Sequence, residues 1–213
     1  MLPYTAETLF ALFDEYNRAI RPLPGLALFL TAGVVMLVIR SRQDRSTVVL
    51  GILAAGWLWT GIAYQLYFYA GINFAAPAYG AAFILQGLLL VWTGVFRQRL
   101  ILHFDRDVIG WAGIRIAIIS AIILPVIDWQ SGVGWTDVRL ALLAPGATAG
   151  FTLGILMMAK GPIPIHLVII PVLWALVAGA HAWVLDIPQD YLLPVVGIIA
   201  LIAAVKSRTR DRV

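Results

Sequence analysis

Seven runs of the chain are almost continuously apolar, and each is closed by charged residues, proline or glycine: residues 23–39, 47–69, 77–96, 108–127, 140–159, 166–185 and 191–205. All are longer than the roughly 4–8 residues of a buried strand. They approach the ~20 residues a helix needs to cross a hydrocarbon core of about 30 Å with its backbone hydrogen bonds closed internally. The pattern predicts an all-α fold, a polytopic membrane helix bundle with seven transmembrane helices. Demoting one run to a re-entrant segment gives six as the alternative. The run 140–159 is the least regular, because Pro145, Gly146, Gly150 and Gly154 lie within it. The connections are short, so residues 1–213 read as a single membrane domain: a surface helix over 1–22, a bundle over 23–205 and a basic tail over 206–213.

The segment before the first run has a different period. Leu9, Phe10, Phe13, Tyr16 and Ile20 fall on one helical stripe, opposite Glu7, Asp14, Glu15 and Arg18. Thr5 is placed to cap a helix starting at Ala6, with Glu7 favourable in its first turn. It lacks the basic start, apolar run and small-residue cleavage site of a signal peptide. This predicts an amphipathic helix on the outer surface, with Pro22 and Pro24 turning the chain into the membrane. Two roles stand open for it: an interfacial anchor, or a lid over an outward-facing cavity.

Composition agrees with the pattern. Apolar and aromatic residues make up 62% of the chain, charged residues 12%, and there is no cysteine. A soluble domain carries about 45–50% apolar and about 25% charged residues, so soluble, disordered and disulfide-stapled classes are excluded. Charge then sets direction. With the first run passing inward, the inner segments hold Arg40, Arg42, Arg45, Arg97, Arg99, Arg106, Lys160, Lys206, Arg208, Arg210 and Arg212, against Arg18, Arg21 and Arg139 outside. Positive residues favour the cytoplasmic side, so this asymmetry predicts an external amino terminus and a cytoplasmic carboxyl terminus. Acidic residues lean outward: Glu7, Asp14, Glu15, Asp128, Asp137, Asp186 and Asp190, against Asp44, Asp105, Asp107 and Asp211 inside. The net charge of +4 therefore implies no nucleic-acid partner. The basic inner face and tail suit anionic lipid headgroups, at about 1 kcal/mol per basic residue.

The candidate chemistry lies in polar residues that a bilayer penalises. Asn17, Tyr64, Gln65, Asn73 and His181 fall at or near the outer leaflet and could line one vestibule; hydration or helix–helix hydrogen bonding explains them equally well. Arg115, about two turns inside the fourth run, either snorkels to the interface or pairs in the interior with an anion, Gln86 or a backbone carbonyl. In the fifth run, Pro145 is expected to free a carbonyl, and Gly146, Gly150 and Gly154 to form a small-residue face. Thr148 and Thr152 can bond the backbone or neighbouring helices, and the whole serves close packing or a broken helix facing a solute. Tyr64, Tyr67, Phe68, Tyr69, Trp129, Trp135 and Trp183 read as an interfacial aromatic belt.

Zinc-protease, phosphate-loop and hydrolase-elbow motifs are all missing from the sequence. His103, His166 and His181 are too dispersed for a metal cluster, and no lysine stands inside the last run to hold retinal. The reading therefore has no catalytic residue, no metal and no cofactor.

Several stretches together resemble a bacterial integral-membrane family of unknown function. They are Phe13-Asp14-Glu15-Tyr16-Asn17-Arg18-Ala19, Gly61-Ile62-Ala63-Tyr64-Gln65, Ala70-Gly71-Ile72-Asn73, Ala144-Pro145 with Thr148, Phe151-Thr152-Leu153-Gly154, Leu173-Trp174-Ala175 and Ile187-Pro188-Gln189-Asp190. The resemblance implies the same membrane architecture in a bacterial inner membrane and raises interest in Asn17, Tyr64, Asn73, Pro145 and Thr148. In that family a histidine often follows the tyrosine, a proline the asparagine, and Pro-Cys-Pro-Thr opens the fifth run. Here Gln65, Phe74 and Pro145-Gly146-Ala147-Thr148 stand there, so any metal or thiol chemistry of relatives lacks its ligands. The best-supported expectation is a small-solute permease or channel-like carrier with an outward-facing polar vestibule. The alternative is a non-transporting sensor or accessory subunit, with a protein partner or a second copy of the chain.

Overall fold

The computed structural model describes residues 3–40, 43–98, 100–130, 134 and 138–210. Arg42, Arg99, Trp135, Asp137, Asp211 and Arg212, which entered the reading of charge and aromatics, lie outside the described residues. Among those described, the chain is helical apart from turns and one isolated antiparallel bridge, Leu102 to Ala159.

Helix α1 (Ala6–Ala19) begins at the expected cap: the Thr5 hydroxyl accepts the Thr8 N–H at 3.3 Å. It meets α2 (Leu23–Ile39) at 91° and so lies across one end of the bundle. Then follow α3 (Gln43–Trp59), α4 (Ala76–Leu90), α5 (Val108–Ile118), α6 (Leu124–Gln130), α7 (Pro145–Leu156), α8 (Ile165–Leu185) and α9 (Leu192–Arg210). Three wider π segments extend these helices: Thr60–Phe68 after α3, Val91–Phe96 after α4, and Ile119–Ile123 between α5 and α6. The first opens where the Thr60 hydroxyl donates to the Gly56 carbonyl at 2.8 Å, an insertion into the helix ladder.

Among the described residues, five helical stretches are long and apolar enough to cross a membrane: Arg45–Gly71, Ala76–Phe96, Val108–Gln130, Ile165–Leu185 and Pro188–Arg208. A sixth is reached if α1 and α2 count as one bent pair. The fifth expected run is the exception. Instead of filling 140–159, α7 has 12 residues, a length of about 18 Å. Pro145 does not break it; it stands in its first turn, where a missing N–H costs nothing.

The residues before α7 are non-helical, with Leu142 at φ 73°, yet buried. Non-helical backbone at such depth survives only when its polar groups find partners in the protein. Here two of them do, through side chains: Val138 O accepts Asn17 Nδ2 at 3.0 Å and Leu143 O the Tyr16 hydroxyl at 3.2 Å, while Leu142 O lies 3.3 Å from the Thr60 hydroxyl, whose one proton it shares with the nearer Gly56 carbonyl. Leu140 O accepts the amides of Leu143 and Ala144 at 3.2 and 2.7 Å.

Every residue of α7 except Gly146 is buried, so this helix is the axis of the bundle. The expected small-residue face is real: a Cβ at Gly154 would stand 2.6 Å from Ala117 N and 2.7 Å from Gly113 O. The glycines bring α7 onto α5 at backbone contact, while Trp57 Nε1 of α3 donates to Thr152 Oγ1 at 2.9 Å.

The connections sort into two ends. At one, α1 meets the turn after Thr60–Phe68, the residues before α7 and the α8–α9 connection. At the other, Leu102 N donates to Ser46 Oγ at 2.9 Å, Lys160 N to Ile101 O at 2.8 Å, and Ile163 N to Ser207 Oγ at 3.0 Å.

Candidate functional site

A cavity of about 60 Å³ lies under α1, where the helix ends converge. Its roof is the apolar stripe of α1, with Leu9 and Phe13 facing in. In the structure α1 covers this cavity.

One wall is aromatic. Tyr64 is 2% exposed, stacks on Phe13 (4.8 Å between ring centres) and on Tyr69 (5.5 Å), and meets Tyr16 edge-on. Its hydroxyl makes no hydrogen bond among the described residues. Tyr69 differs: its hydroxyl is shared with the Tyr4 hydroxyl and accepts Asn73 Nδ2 at 2.8 Å. Tyr4 is outside the helical spans, and its burial raises its pKa above the ordinary tyrosine value. Opposite, Trp174 and His181 of α8 line the cavity, with Tyr79 meeting both edge-on at 5.1 and 6.3 Å.

The floor is the first turn of α7, from Ala144 to Ala147. The earliest amide to find an intrahelical acceptor is that of Thr148, which donates to Ala144 O at 2.9 Å; the Thr148 hydroxyl uses the same oxygen at 2.7 Å. The N–H groups of Gly146 and Ala147 precede it, no side chain caps the helix, and neither amide has an acceptor among the described residues.

The third element is a charged cluster. Arg139, 12% exposed, donates from Nε and Nη2 to the two oxygens of Asp128 (2.9 and 2.6 Å) and from Nη1 to Asp190 Oδ2 (2.5 Å). Gln189 Nε2 adds a bond to Asp128 Oδ1 at 3.0 Å, and the guanidinium lies over the Phe10 ring at 5.4 Å. Burial works against the charge on Arg139, but Asp190 and Asp128 together outweigh it and hold the guanidinium above its ordinary pKa. The cluster has one carboxylate more than it has cations.

The expected site residues divide accordingly. Tyr64, His181 and Pro145 line this cavity. Asn17 and Asn73 sit beside it: Asn17 holds the Val138 carbonyl, and Asn73, besides its bond to Tyr69, accepts the Ala75 N–H on Oδ1 at 2.9 Å to close a turn. Gln65 is wholly buried, and neither carboxamide atom has a partner among the described residues. Gln86 is elsewhere, donating to Leu167 O of α8 at 2.9 Å. Arg115 is exposed beside Trp111, 5.8 Å from the ring centre, so its pairing with Gln86 in the interior does not occur. The belt also divides: Tyr67 and Trp183 are exposed as expected (81% and 79%), whereas Tyr64 and Tyr69 are buried.

Reading the sequence missed Arg139, Asp128, Asp190 and Trp174 as site residues. Each charge, taken alone at the end of an apolar run, looks like a solvated loop residue. The signal was that Arg139 is the lone basic residue between runs four and five, with Asp128 and Asp137 in the same connection and Asp186 and Asp190 between runs six and seven.

Fold and site together define an all-helical protein whose apolar helices are organised around a short buried helix, with a mostly apolar cavity at its uncapped start. The chain belongs to the family of unknown function DUF6064, which matches residues 6–213. No curated protein and no solved structure matches it.

Proposed function

We propose that this protein is a multi-pass carrier or channel-like permease for a small solute, with the cavity under α1 as its outward-facing binding site. Seven crossings are proposed, with α2 and the α7 segment as the two short ones, since the expected outer connections meet at one end and the expected inner ones at the other. The basic residues then place the amino terminus outside and the carboxyl terminus in the cytoplasm, in a bacterial inner membrane. Exposed large side chains such as Phe29, Phe74, Trp92 and Val108 suit contact with lipid rather than water.

The observation that carries the solute-binding reading is the cavity itself: a mostly apolar space into which an unengaged tyrosine and the uncapped end of a central helix bring a few polar groups. Proteoliposomes are the test. A panel of small solutes is expected to contain at least one that crosses faster with the protein than without it, with flux reduced by Ala178→Leu, which fills the cavity. Equal flux with empty liposomes across the panel, together with a stoichiometric partner co-purifying in mild detergent, would instead support the accessory-subunit reading.

A further inference from the structure

We infer that the cavity binds a small uncharged solute of the amide or urea type, its oxygen taking hydrogen bonds from Gly146 N–H, Ala147 N–H and the Tyr64 hydroxyl. The inference rests on the proposed function only in taking this cavity as the binding site.

Three independent observations converge. First, a donor without an acceptor is costly away from water, and the floor presents two: the amide of half-buried Gly146 and that of buried Ala147. Second, Tyr64 is 2% exposed, lines the same cavity and has no hydrogen-bond partner among the described residues. Third, the acceptors nearby are mostly committed, since three of the four carboxylate oxygens of Asp128 and Asp190 already receive bonds. The space therefore offers donors in excess and suits an acceptor oxygen. His181 is the complement: it lines the cavity, no hydrogen bond engages its ring among the described residues, and a ring nitrogen can accept a solute N–H.

Charge selects against ions. A helix amino terminus acts as roughly half a positive charge, and the Arg139 cluster carries one uncompensated carboxylate. An anion gains from the first and loses to the second. A cation finds few free acceptor oxygens. Size sets the rest: at about 15 Å³ per water on the same measure, about 60 Å³ holds about four waters, the bulk of a solute of about four heavy atoms.

The test uses three isosteres that differ in charge, acetamide, acetate and acetamidinium, titrated into the full-length protein in lipid nanodiscs and followed by tryptophan fluorescence. Acetamide is expected to bind saturably and the two ions at least ten times more weakly. Tyr64→Phe should weaken acetamide about 5–10-fold, the effect of one neutral hydrogen bond, and Ala178→Leu should abolish binding. The isostere comparison needs no variant, so a misfolded mutant leaves the test intact. Binding of either ion as tight as acetamide, no acetamide binding, or an unchanged affinity in a folded Tyr64→Phe protein overturns the inference. Acetamide binding without flux of any solute would sustain it while removing the carrier reading, and flux of another solute without acetamide binding would do the reverse.

Discussion

At the scale of single residues, Arg139 and Arg115 show how little a charge in an apolar sequence says until its partners are known. Arg115 was the conspicuous residue in the sequence, yet it lies on the outer face of α5 beside Trp111. Arg139 looked like an ordinary loop residue, yet it ties α6, the α8–α9 connection and the residues before α7 into one cluster. Removing one partner of a buried ion pair leaves the others charged and unpaired, at about 3–5 kcal/mol. Arg139→Gln is therefore expected to lower the thermal unfolding midpoint sharply, with part of the loss recovered when Asp128→Asn is added. Arg115→Gln should change stability by no more than about 0.5–1 kcal/mol, the worth of an exposed cation–π contact. Thermal melts of the four proteins in one detergent measure this; equal melting of Arg139→Gln and wild type would show that the cluster does not hold the end of the bundle. Asn17 and Asn73 carry the same lesson in neutral form. The sequence shows their polarity and depth, but Asn17 holds Val138 O, and Asn73 bridges the Tyr69 hydroxyl and the Ala75 amide, in non-helical stretches that no periodicity reports.

Among the elements, α7 departs furthest from a reading of hydropathy. A run apolar on every face carries no polar stripe to mark its period, so neither the start of the helix at Pro145 nor the three π segments were legible. What was legible is the glycine spacing, because small residues every fourth position have one main physical use, close approach of helices. Gly154 makes this testable. An added Cβ there meets the backbone of Ala117 and Gly113, which cannot move aside as a flexible side chain would. Gly154→Ala is expected to destabilise by about 1–3 kcal/mol, the usual range for overpacking. Gly25 in α2 has nothing within 4 Å of its Cβ position, so Gly25→Ala should be neutral or stabilising by up to about 1 kcal/mol through helix propensity. Similar melting temperatures for the two variants would mean that α5 and α7 are not in backbone contact.

For the whole molecule, the most legible feature is the sorting of its connections. Charge counting assigns α1, the 70–75 turn, the residues before α7 and the α8–α9 connection to one side, and the structure gathers those segments at one end through Asn17, Arg139 and the tyrosines. Hydropathy alone could not have brought the cavity into view, because it forms only when four connections separated along the chain close over the uncapped start of α7. That arrangement makes a topological demand. If the chain crosses the bilayer an odd number of times, α1 and the end of α9 lie in different compartments. The sequence has no cysteine, so single cysteines can be introduced and labelled without background. Glu7→Cys, on the exposed face of α1, is expected to react with a membrane-impermeant maleimide in intact spheroplasts. Arg208→Cys, in the last turns of α9, should react only after the membrane is opened. Labelling of both positions in intact cells would place the two ends on one side. The cavity under α1 would then keep its geometry, but the α7 segment would enter and leave by the same face, and a route from the cavity across the membrane would have no continuous helix to follow.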